Sequence, residues 1–377
     1  MIRTIASVIA QGASPREIDG IVIPEPTASA LAQAGGALVR TVYLAVDDGR
    51  DPDGADENVG GRDGEHDVES DDAGTPTIAA LLGYHRPHTA QQKLTAIGGD
   101  RRLWRDLIAF AERDALRDPD IAVIKYDLNR SDAIDTAGRT DQTDQIDRTD
   151  QIDRTDQNGD ESDTTPDLPR TDGAATHYRQ TTEFTCGPVA VLTAMHRLGL
   201  APRPTRAEEL QMWREATVAV ACEPYGLALA AVRRGAHPTI RVSAAGPVLH
   251  PDSRLGILDP AMARDTQIAF ERQAHEQGID VQIAPFDAAD IAALVDAGHV
   301  AVVLIDELHM HGEACPHWVT VTGRDPASGA LLIDDPWTDA EYGETGVDAW
   351  QLPVRPEDFD LMIRYDAPRS AQAMLVF

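Results

Sequence analysis

A cysteine directly before Gly-Pro and an apolar stretch stands out at Cys186. Pro188 suits the first turn of a helix, where its missing N–H would have no partner, so the pattern predicts a helix over 187–198. A helix N-terminus offers unpaired N–H groups and a partial positive charge, and both stabilise a thiolate. The position suits a nucleophile, although a small buried thiol that fills a core has the same residue type.

Two further residues could take part in the same chemistry. Gln180 lies six residues before Cys186, close enough to place an amide donor beside the sulfur. This amide and the backbone N–H of the cysteine would form the two halves of an oxyanion hole. His317 begins the strand-like segment PHWVTVTG, 131 residues after Cys186, which is within the range of papain-type Cys/His pairs.

An acid could orient that histidine from the next strand. The segment RDPASG is a turn pattern, and LLIDDPW after it predicts an antiparallel strand that ends at Asp334 and Asp335. Side chains alternate between the faces of a strand, so only one of the two can share a face with His317. The sequence does not settle the register of this hairpin, and either aspartate could hold the imidazole.

Other cysteines and histidines were weighed for different chemistry. The segment HMHGEACPH holds His309, His311, Cys315 and His317, but the spacing fits no standard zinc finger and a metal on His317 would disable the base. Cys222 precedes a predicted helix, yet it has no nearby glutamine and no matching histidine, so a structural role is expected. The sequence therefore predicts neither a metal nor a cofactor.

The segments HYRQTTEFTCGPVAVL, PHWVTVTG and IDDPW resemble the papain-like cysteine peptidases of peptidase family thirty-nine, the double-glycine leader peptidases and their stand-alone relatives. The similarity spans about residues 175–377. It implies four roles at matching positions: Cys186 as nucleophile, His317 as general base and then acid, Asp335 as orienting acid, and Gln180 in the oxyanion hole. Thr185 stands where many relatives have Asp before the cysteine, and threonine is chemically silent there.

The acidic charge is concentrated outside the expected cores. Of the net charge of −30, residues 47–72 contribute −10 and residues 132–172 contribute −9. The second segment includes the repeat TDQIDRTDQIDR, which has no apolar face, and it predicts a disordered linker over 131–173. The first predicts an acidic insertion over 47–75. Such an acidic chain argues against nucleic acid as a partner.

Residues 1–130 have a mixed α/β pattern. Strands are predicted at 2–9, 37–46, 75–84, 91–97 and 121–128, and helices at 26–34 and 101–116. This order resembles the first half of the acyl-CoA N-acetyltransferase fold, which implies a phosphate-binding glycine loop before the second helix. Here the stretch is AIGGDRRLWRDL, with Gly98 and Gly99 too early, so the domain is interpreted as a degenerate acetyltransferase-like domain.

Residues 174–377 have mostly helices first and strands last, which predicts an α+β domain, and the resemblance to the peptidases implies a papain-like fold for it. Helices are predicted at 187–198, 206–216, 226–234, 260–277 and 288–297, and strands at 239–243, 279–284, 300–306, 317–323 and 330–334. The predicted fold class is thus α+β, with a papain-like domain after the acetyltransferase-like domain and the linker.

The remaining composition favours a cytoplasmic protein. The three cysteines are too few for a disulfide framework, the N-terminus has only a short apolar run, and no stretch is long enough to span a membrane. The predicted function is peptide or amide hydrolysis with a peptide or protein substrate, and the oligomeric state stays open. Two alternatives remain: a catalytically silent peptide-binding module, and an acetyltransferase with a regulatory peptidase-like tail.

Overall fold

The structure, a computed structural model, describes residues 2–47, 77–128, 168–218, 220–249, 259–368 and 370–377. The predicted acidic insertion and the predicted linker lie outside these residues except at their ends. At the linker's end, Thr171 N donates to Tyr126 O, and the Thr171 hydroxyl accepts from Tyr126 N. The chain therefore re-enters the described region alongside a strand of the N-terminal part.

The N-terminal part is built on a five-stranded sheet with a helix on each face. Its elements are β1 (Ile2–Ile9), β2 (Glu17–Ile18), β3 (Ile21–Val22), α1 (Thr27–Gln33), β4 (Val39–Asp47), β5 (Thr77–His85), β6 (Gln91–Gly99), α2 (Trp104–Ala115) and β7 (Val123–Asp127). The strand order is β1-β4-β5-β6-β7, and only β6 and β7 are parallel. The structure has the mixed order of helices and strands that the sequence predicts.

Alternation along β4 explains why a helix packs on each face of the sheet. Val42 and Leu44 are buried with Leu31 of α1 on one face, whereas Tyr43 is buried with Leu107 of α2 on the other. Successive side chains of a strand point to opposite faces, so one apolar run serves two cores.

Gly98 and Gly99 have a packing role at the end of β6. A Cβ on Gly98 would lie 2.2 Å from the carbonyl oxygen of Glu25, and Gly99 has a φ of +87°. Only glycine tolerates both the close approach and the positive φ without strain. The two residues let β6 contact the chain that enters α1.

The C-terminal part is built on a seven-stranded sheet. Its elements are α3 (Cys186–Arg197), α4 (Arg206–Ala216), β8 (Thr217–Val218), β9 (Ala221–Cys222), α5 (Pro224–Val232), β10 (Thr239–Val242), α6 (Pro260–Glu276), β11 (Val281–Ile283), α7 (Ala288–Asp296), β12 (Ala301–Asp306), α8 (Leu308–His311), β13 (Pro316–Arg324), β14 (Leu331–Asp334), α9 (Gly346–Ala349), β15 (Leu352–Val354), α10 (Pro356–Met362) and β16 (Ala373–Val376). The strand order is β11-β10-β16-β12-β13-β14-β15. All five predicted helices and all five predicted strands of this part are present within three residues at each end.

The strand nearest the chain's end was not predicted, although it lies inside the sheet. β16 pairs with β10 on one side and with β12 on the other, both antiparallel. β16 has only four residues, and the element before it in the chain is a helix. Neither feature indicates a strand in the interior of the sheet. β15 and α10 were also not predicted.

The sheet separates two apolar cores. Val302 and Leu304 of β12 are buried with residues of α3 and α5, whereas Val303 and Ile305 are buried with residues of α7 and α10. Both faces of the strand are therefore apolar, as expected for a strand covered on both sides.

The two parts meet through buried polar groups. Lys93 Nζ lies 2.5 Å from Asp348 Oδ2, and Lys125 Nζ donates to Val347 O at 3.0 Å and to Trp350 O at 2.5 Å. These are the only two lysines of the sequence, and both are buried. The N-terminal sheet thus places both lysine side chains on the segment around α9, and burial lowers the pKa of Lys125 to about 7.

Candidate active site

Cys186 is the first residue of α3 and is 7% exposed. A Cβ on the next residue, Gly187, would lie 3.0–3.1 Å from Leu227 and Trp318, so glycine allows α3 to begin tightly against α5 and β13. No side chain caps this helix N-terminus. Its backbone N–H groups therefore remain directed towards the thiol and the space beside it.

A buried glutamate, which the sequence analysis missed, fixes the loop before α3. Glu209 accepts hydrogen bonds from Thr181 N at 2.8 Å, from the Tyr178 hydroxyl at 2.8 Å and from the Thr185 hydroxyl. Thr185 has no expected chemical role, but its hydroxyl has a structural one because it donates a hydrogen bond to Glu209. The only signal for Glu209 was its place near the start of α4.

Gln180 lies on the same loop and lines the same cleft as Cys186. Its backbone N–H donates to Pro336 O at 2.9 Å, and one N–H of its side chain donates to Thr182 O at 2.8 Å. An amide nitrogen carries two hydrogens, so one remains free to donate to a ligand.

His317 and Asp335 are in direct contact. His317 Nε2 lies 2.7 Å from Asp335 Oδ1, and both side chains are buried. Cys186 contributes to the raised pKa of His317, and both residues line the same cleft. Since Nε2 faces Asp335, the Nδ1 side of the ring remains for the thiol.

The strand register explains why Asp335 rather than Asp334 reaches the histidine. Asp334 pairs with Thr320 across β13 and β14, which places it on the face of Thr320 and away from that of His317. The Asp334 carboxylate accepts from Arg197 Nε at 2.8 Å and from Gln351 N at 3.0 Å instead.

The charges around His317 favour its protonated form. Burial alone would lower the pKa of His317, but Glu307 and Asp335 outweigh it and raise the pKa well above its usual value. Glu307 Oε1 is 4.0 Å from His317 Nδ1, on the side opposite Asp335. Glu307 was not predicted as a neighbour of His317. Its position directly after β12, the strand that pairs with β13, could have indicated that it lies near the start of β13.

Asp335 is held ionised from both sides. Burial would raise its pKa, but His317 and Arg86 bring the pKa well below its usual value. Oδ1 also accepts from Trp337 N at 2.8 Å, and Oδ2 accepts from Arg86 Nη1 at 2.6 Å. Arg86 belongs to the N-terminal part, and no sequence pattern pointed to it.

The site opens into a cleft of about 540 Å³. Gln180, Cys186 and His317 line it, whereas Asp335 lies behind the histidine. The opposite wall includes residues 35–38 of the N-terminal part, and the Tyr342 ring contacts Gly35 and Gly36 there. The cleft is thus formed by both parts of the chain.

The other two cysteines are in different surroundings. Burial raises the pKa of Cys222 well above its usual value, and burial together with Glu307 raises the pKa of Cys315 to about 12. Both remain thiols at neutral pH, and neither begins a helix.

The histidines near Cys315 do not converge on one point. His309 stacks edge-on against the ring of His88 at 5.4 Å between centroids, and His317 is directed at Asp335. Within the described ranges, no group of three or more His, Cys, Asp or Glu side chains is arranged to hold a metal ion. In the same ranges, no helix has both the length and the apolar composition to cross a membrane.

Comparison with protein families identifies the class to which the C-terminal part belongs. Residues 175–377, more than half of the chain, match the family described as Peptidase_C39 like. The chain therefore belongs to the peptidase C39-like family. No curated protein matches the chain. The family match does not extend over residues 1–174 and gives no support to the resemblance between that part and acetyltransferases.

Proposed function

We propose that the protein is a papain-like cysteine peptidase that hydrolyses amide bonds of a peptide or protein substrate. The observation that supports this most strongly is that His317, which contacts the Asp335 carboxylate, lines the same cleft as Cys186 at the start of α3. This is the arrangement of nucleophile, base and orienting acid that cysteine hydrolases require.

The first half of the reaction would release the amine product. The Cys186 thiolate attacks the amide carbonyl carbon, and the carbonyl oxygen becomes an oxyanion that the free N–H of Gln180 and the backbone N–H of Cys186 stabilise. The imidazolium of His317 donates its proton to the leaving nitrogen as the C–N bond breaks. An acyl-enzyme thioester remains on Cys186.

The second half would restore the enzyme. His317, now neutral, takes a proton from a water molecule whose oxygen attacks the thioester carbon. The C–S bond breaks, the carboxylic acid product leaves and loses its proton to solvent, and Cys186 and His317 return to the thiolate and imidazolium pair. Asp335 keeps the ring in the required orientation and stabilises its positive charge throughout.

Alkylation by iodoacetamide tests the nucleophile without a known substrate. We expect Cys186 to be modified at about pH 6 well before Cys222 and Cys315, because only a thiolate reacts, Cys186 begins a helix, and burial raises the pKa of the other two thiols. Peptide mapping by mass spectrometry identifies the modified residue. Equal reaction of the three cysteines, or slower reaction of Cys186, would contradict the proposal.

A second experiment separates a peptidase from a silent peptide-binding module. A pool of fluorogenic peptides is incubated with the full chain and with the Cys186→Ala variant. Cleavage by the first but not by the second supports hydrolysis. A reactive Cys186 together with peptide binding and no cleavage would favour the binding module.

A further inference from the structure

One hydrogen-bond donor to the Asp335 carboxylate, Arg86, lies outside residues 175–377, which match the peptidase family. Arg86 directly follows β5, and its side chain is 1% exposed. Its Nη1 lies 2.6 Å from Asp335 Oδ2, while Nε and Nη2 lie 2.6 Å and 2.7 Å from the two oxygens of Glu344. Nη2 also donates to Trp337 O at 3.2 Å. Every nitrogen of the guanidinium is thus used.

This geometry determines where the Asp335 carboxylate points. Oδ2 accepts from Arg86 on one side, and Oδ1 accepts from His317 and from Trp337 N on the other. A carboxylate with both oxygens held cannot rotate away from the imidazole. The planar guanidinium is suited to this task because its donors are fixed in one plane, whereas a lysine offers a single point charge.

The four most deeply buried charges balance only when Arg86 is present, and Glu307, which is 15% exposed, adds a further carboxylate near His317. Arg86 and protonated His317 carry two positive charges, and Asp335 and Glu344 carry two negative charges, with at most 3% of each of these four side chains exposed. Without the guanidinium, Asp335 would keep only the imidazolium of His317, and Glu344 would lose its buried cation. A buried carboxylate without a partner takes up a proton instead of remaining charged.

We propose that Arg86 is a positioning residue of the active site, which holds Asp335 ionised and directed at His317 through a contact supplied by the N-terminal part. This inference rests on the proposed role of Cys186 and His317. It means that residues 175–377, although they contain the whole proposed triad, do not form the complete site by themselves.

The pH dependence of Cys186 alkylation in full-length variants tests this role. In R86Q, Asp335 becomes protonated at a higher pH, the imidazolium loses its counter-charge, and the Cys186 thiolate forms only at a higher pH. We therefore expect the alkylation midpoint of Cys186 to rise by about one pH unit or more, since a buried acid that loses its cation shifts by that amount. R86K, which keeps the charge but not the fork, is expected to lie between R86Q and the wild type.

Other titratable groups near the pair must be the same in all variants. Apart from Arg86, the groups that face Asp335 or His317 are Glu307, His311, His177, Cys186 and Cys315, and Glu344 faces Arg86 and His311. None of these other groups is changed in R86Q or R86K, so a shift in midpoint reports the loss of the Arg86 contact.

Lys93 provides a matched control. It is another buried cation of the N-terminal part with a carboxylate partner in the C-terminal part, but that partner is Asp348 and not a residue of the proposed triad. K93Q is expected to unfold at a lower temperature and to keep the wild-type midpoint at Cys186. A shift in K93Q equal to that in R86Q would show a general effect of the interface and overturn the specific role of Arg86.

The remaining outcomes are decisive as well. An unshifted midpoint in R86Q with native circular dichroism overturns the inference. If R86Q does not fold, the double variant R86Q/E344Q removes the second buried carboxylate, and an unshifted midpoint there and in R86K overturns it equally. Failure of the proposed function is seen separately, in the wild type, as a Cys186 midpoint no lower than that of Cys315.

Discussion

The two sheets of this protein bury different kinds of side chain. The C-terminal sheet has apolar side chains on both faces of its central strand β12, with two cores that are each closed by helices. The N-terminal sheet has an apolar core around β4, but Lys93 of β6, Lys125 of β7 and Arg86, which follows β5, are buried against the C-terminal part. Apolar packing builds the scaffold, whereas buried ion pairs and hydrogen bonds join the two parts.

The difference teaches that the proposed triad depends on both kinds of interaction. Cys186 and His317 are placed by α3 and β13, which pack within the C-terminal part. Asp335 lies at the edge of that scaffold, and its second oxygen is satisfied by Arg86 from the other sheet. The following predictions test this contrast, in order of decreasing effect.

The largest effect is expected for Cys186→Ala, which removes the nucleophile from the apolar scaffold and leaves the interface intact. Peptide cleavage should fall below detection while the unfolding free energy changes little, because the side chain is small. Cys315→Ser serves as the control, since Cys315 lines the same cleft with a thiol of raised pKa. It should retain turnover. Cleavage that persists in Cys186→Ala would remove the nucleophile from the proposal.

The second prediction concerns the two neighbouring aspartates. Asp335→Asn should lower turnover by about 10⁴-fold, because the neutral amide leaves the histidine in the wrong tautomer. Asp334→Asn should lower turnover far less and instead cost about 1–3 kcal/mol of stability, since Asp334 holds Arg197 and Gln351 N. Steady-state kinetics and urea unfolding measure the two effects. A larger loss of turnover in Asp334→Asn would contradict the assignment from the strand register.

The third prediction concerns the interface. Lys93→Gln should lower the free energy of unfolding by about 3–5 kcal/mol, because it leaves Asp348 buried without its cation. Chemical denaturation of the full chain measures this loss. Lys93→Gln should thus lower stability and leave turnover of the folded protein unchanged, whereas Cys186→Ala should abolish turnover and leave stability nearly unchanged. A loss below about 1 kcal/mol would show that the pair is no stronger than an exposed one.

The smallest effect, counted per pH unit, is expected at Glu223, a buried carboxylate of the C-terminal core that has backbone N–H partners and no cation among its described contacts. Burial raises the pKa of Glu223 to about 8. The folded state therefore holds a proton that the unfolded state releases above about pH 4.3, and stability falls as pH rises from there to about 8. The fall should be at most about 1.4 kcal/mol per pH unit.

Glu223→Gln should abolish that slope, because glutamine can accept the same N–H groups without a proton to lose. The unfolding free energy of both proteins is measured between about pH 5 and 8. Parallel curves for the wild type and the variant would mean that Glu223 is ionised in the folded state. Comparing Glu223, which has no described cation, with Asp348, which pairs with Lys93, then shows whether a buried carboxylate of this protein stays ionised without a cation.

Much of the secondary structure could be predicted because it is encoded locally. The helix that begins at Cys186, the strand that begins at His317 and the turn between β13 and β14 follow from nearby proline, β-branched and turn residues. Their joint order also indicated the family to which the chain belongs. The four proposed site residues were found this way, and their catalytic roles stay predictions.

The tertiary contacts of those residues were not encoded locally. Glu209 reaches the loop before α3 from the next helix, and Glu307 reaches His317 from a paired strand. The sequence does not show whether a glutamate in a helix is buried or exposed, because that depends on tertiary packing. The central position of β16 was missed for a similar reason, since strand order depends on long-range pairing.

The sequence by itself therefore determined the local elements and the order of nucleophile, histidine and acid along the chain. Periodicity, turn chemistry and capping act over a few residues, and they leave the relative placement of distant segments open. The choice between Asp334 and Asp335 needed the strand register, and the resemblance alone had favoured Asp335. The contact between Arg86 and Asp335 joins residues 249 positions apart, and it exists only because the two sheets dock with their charged side chains buried between them.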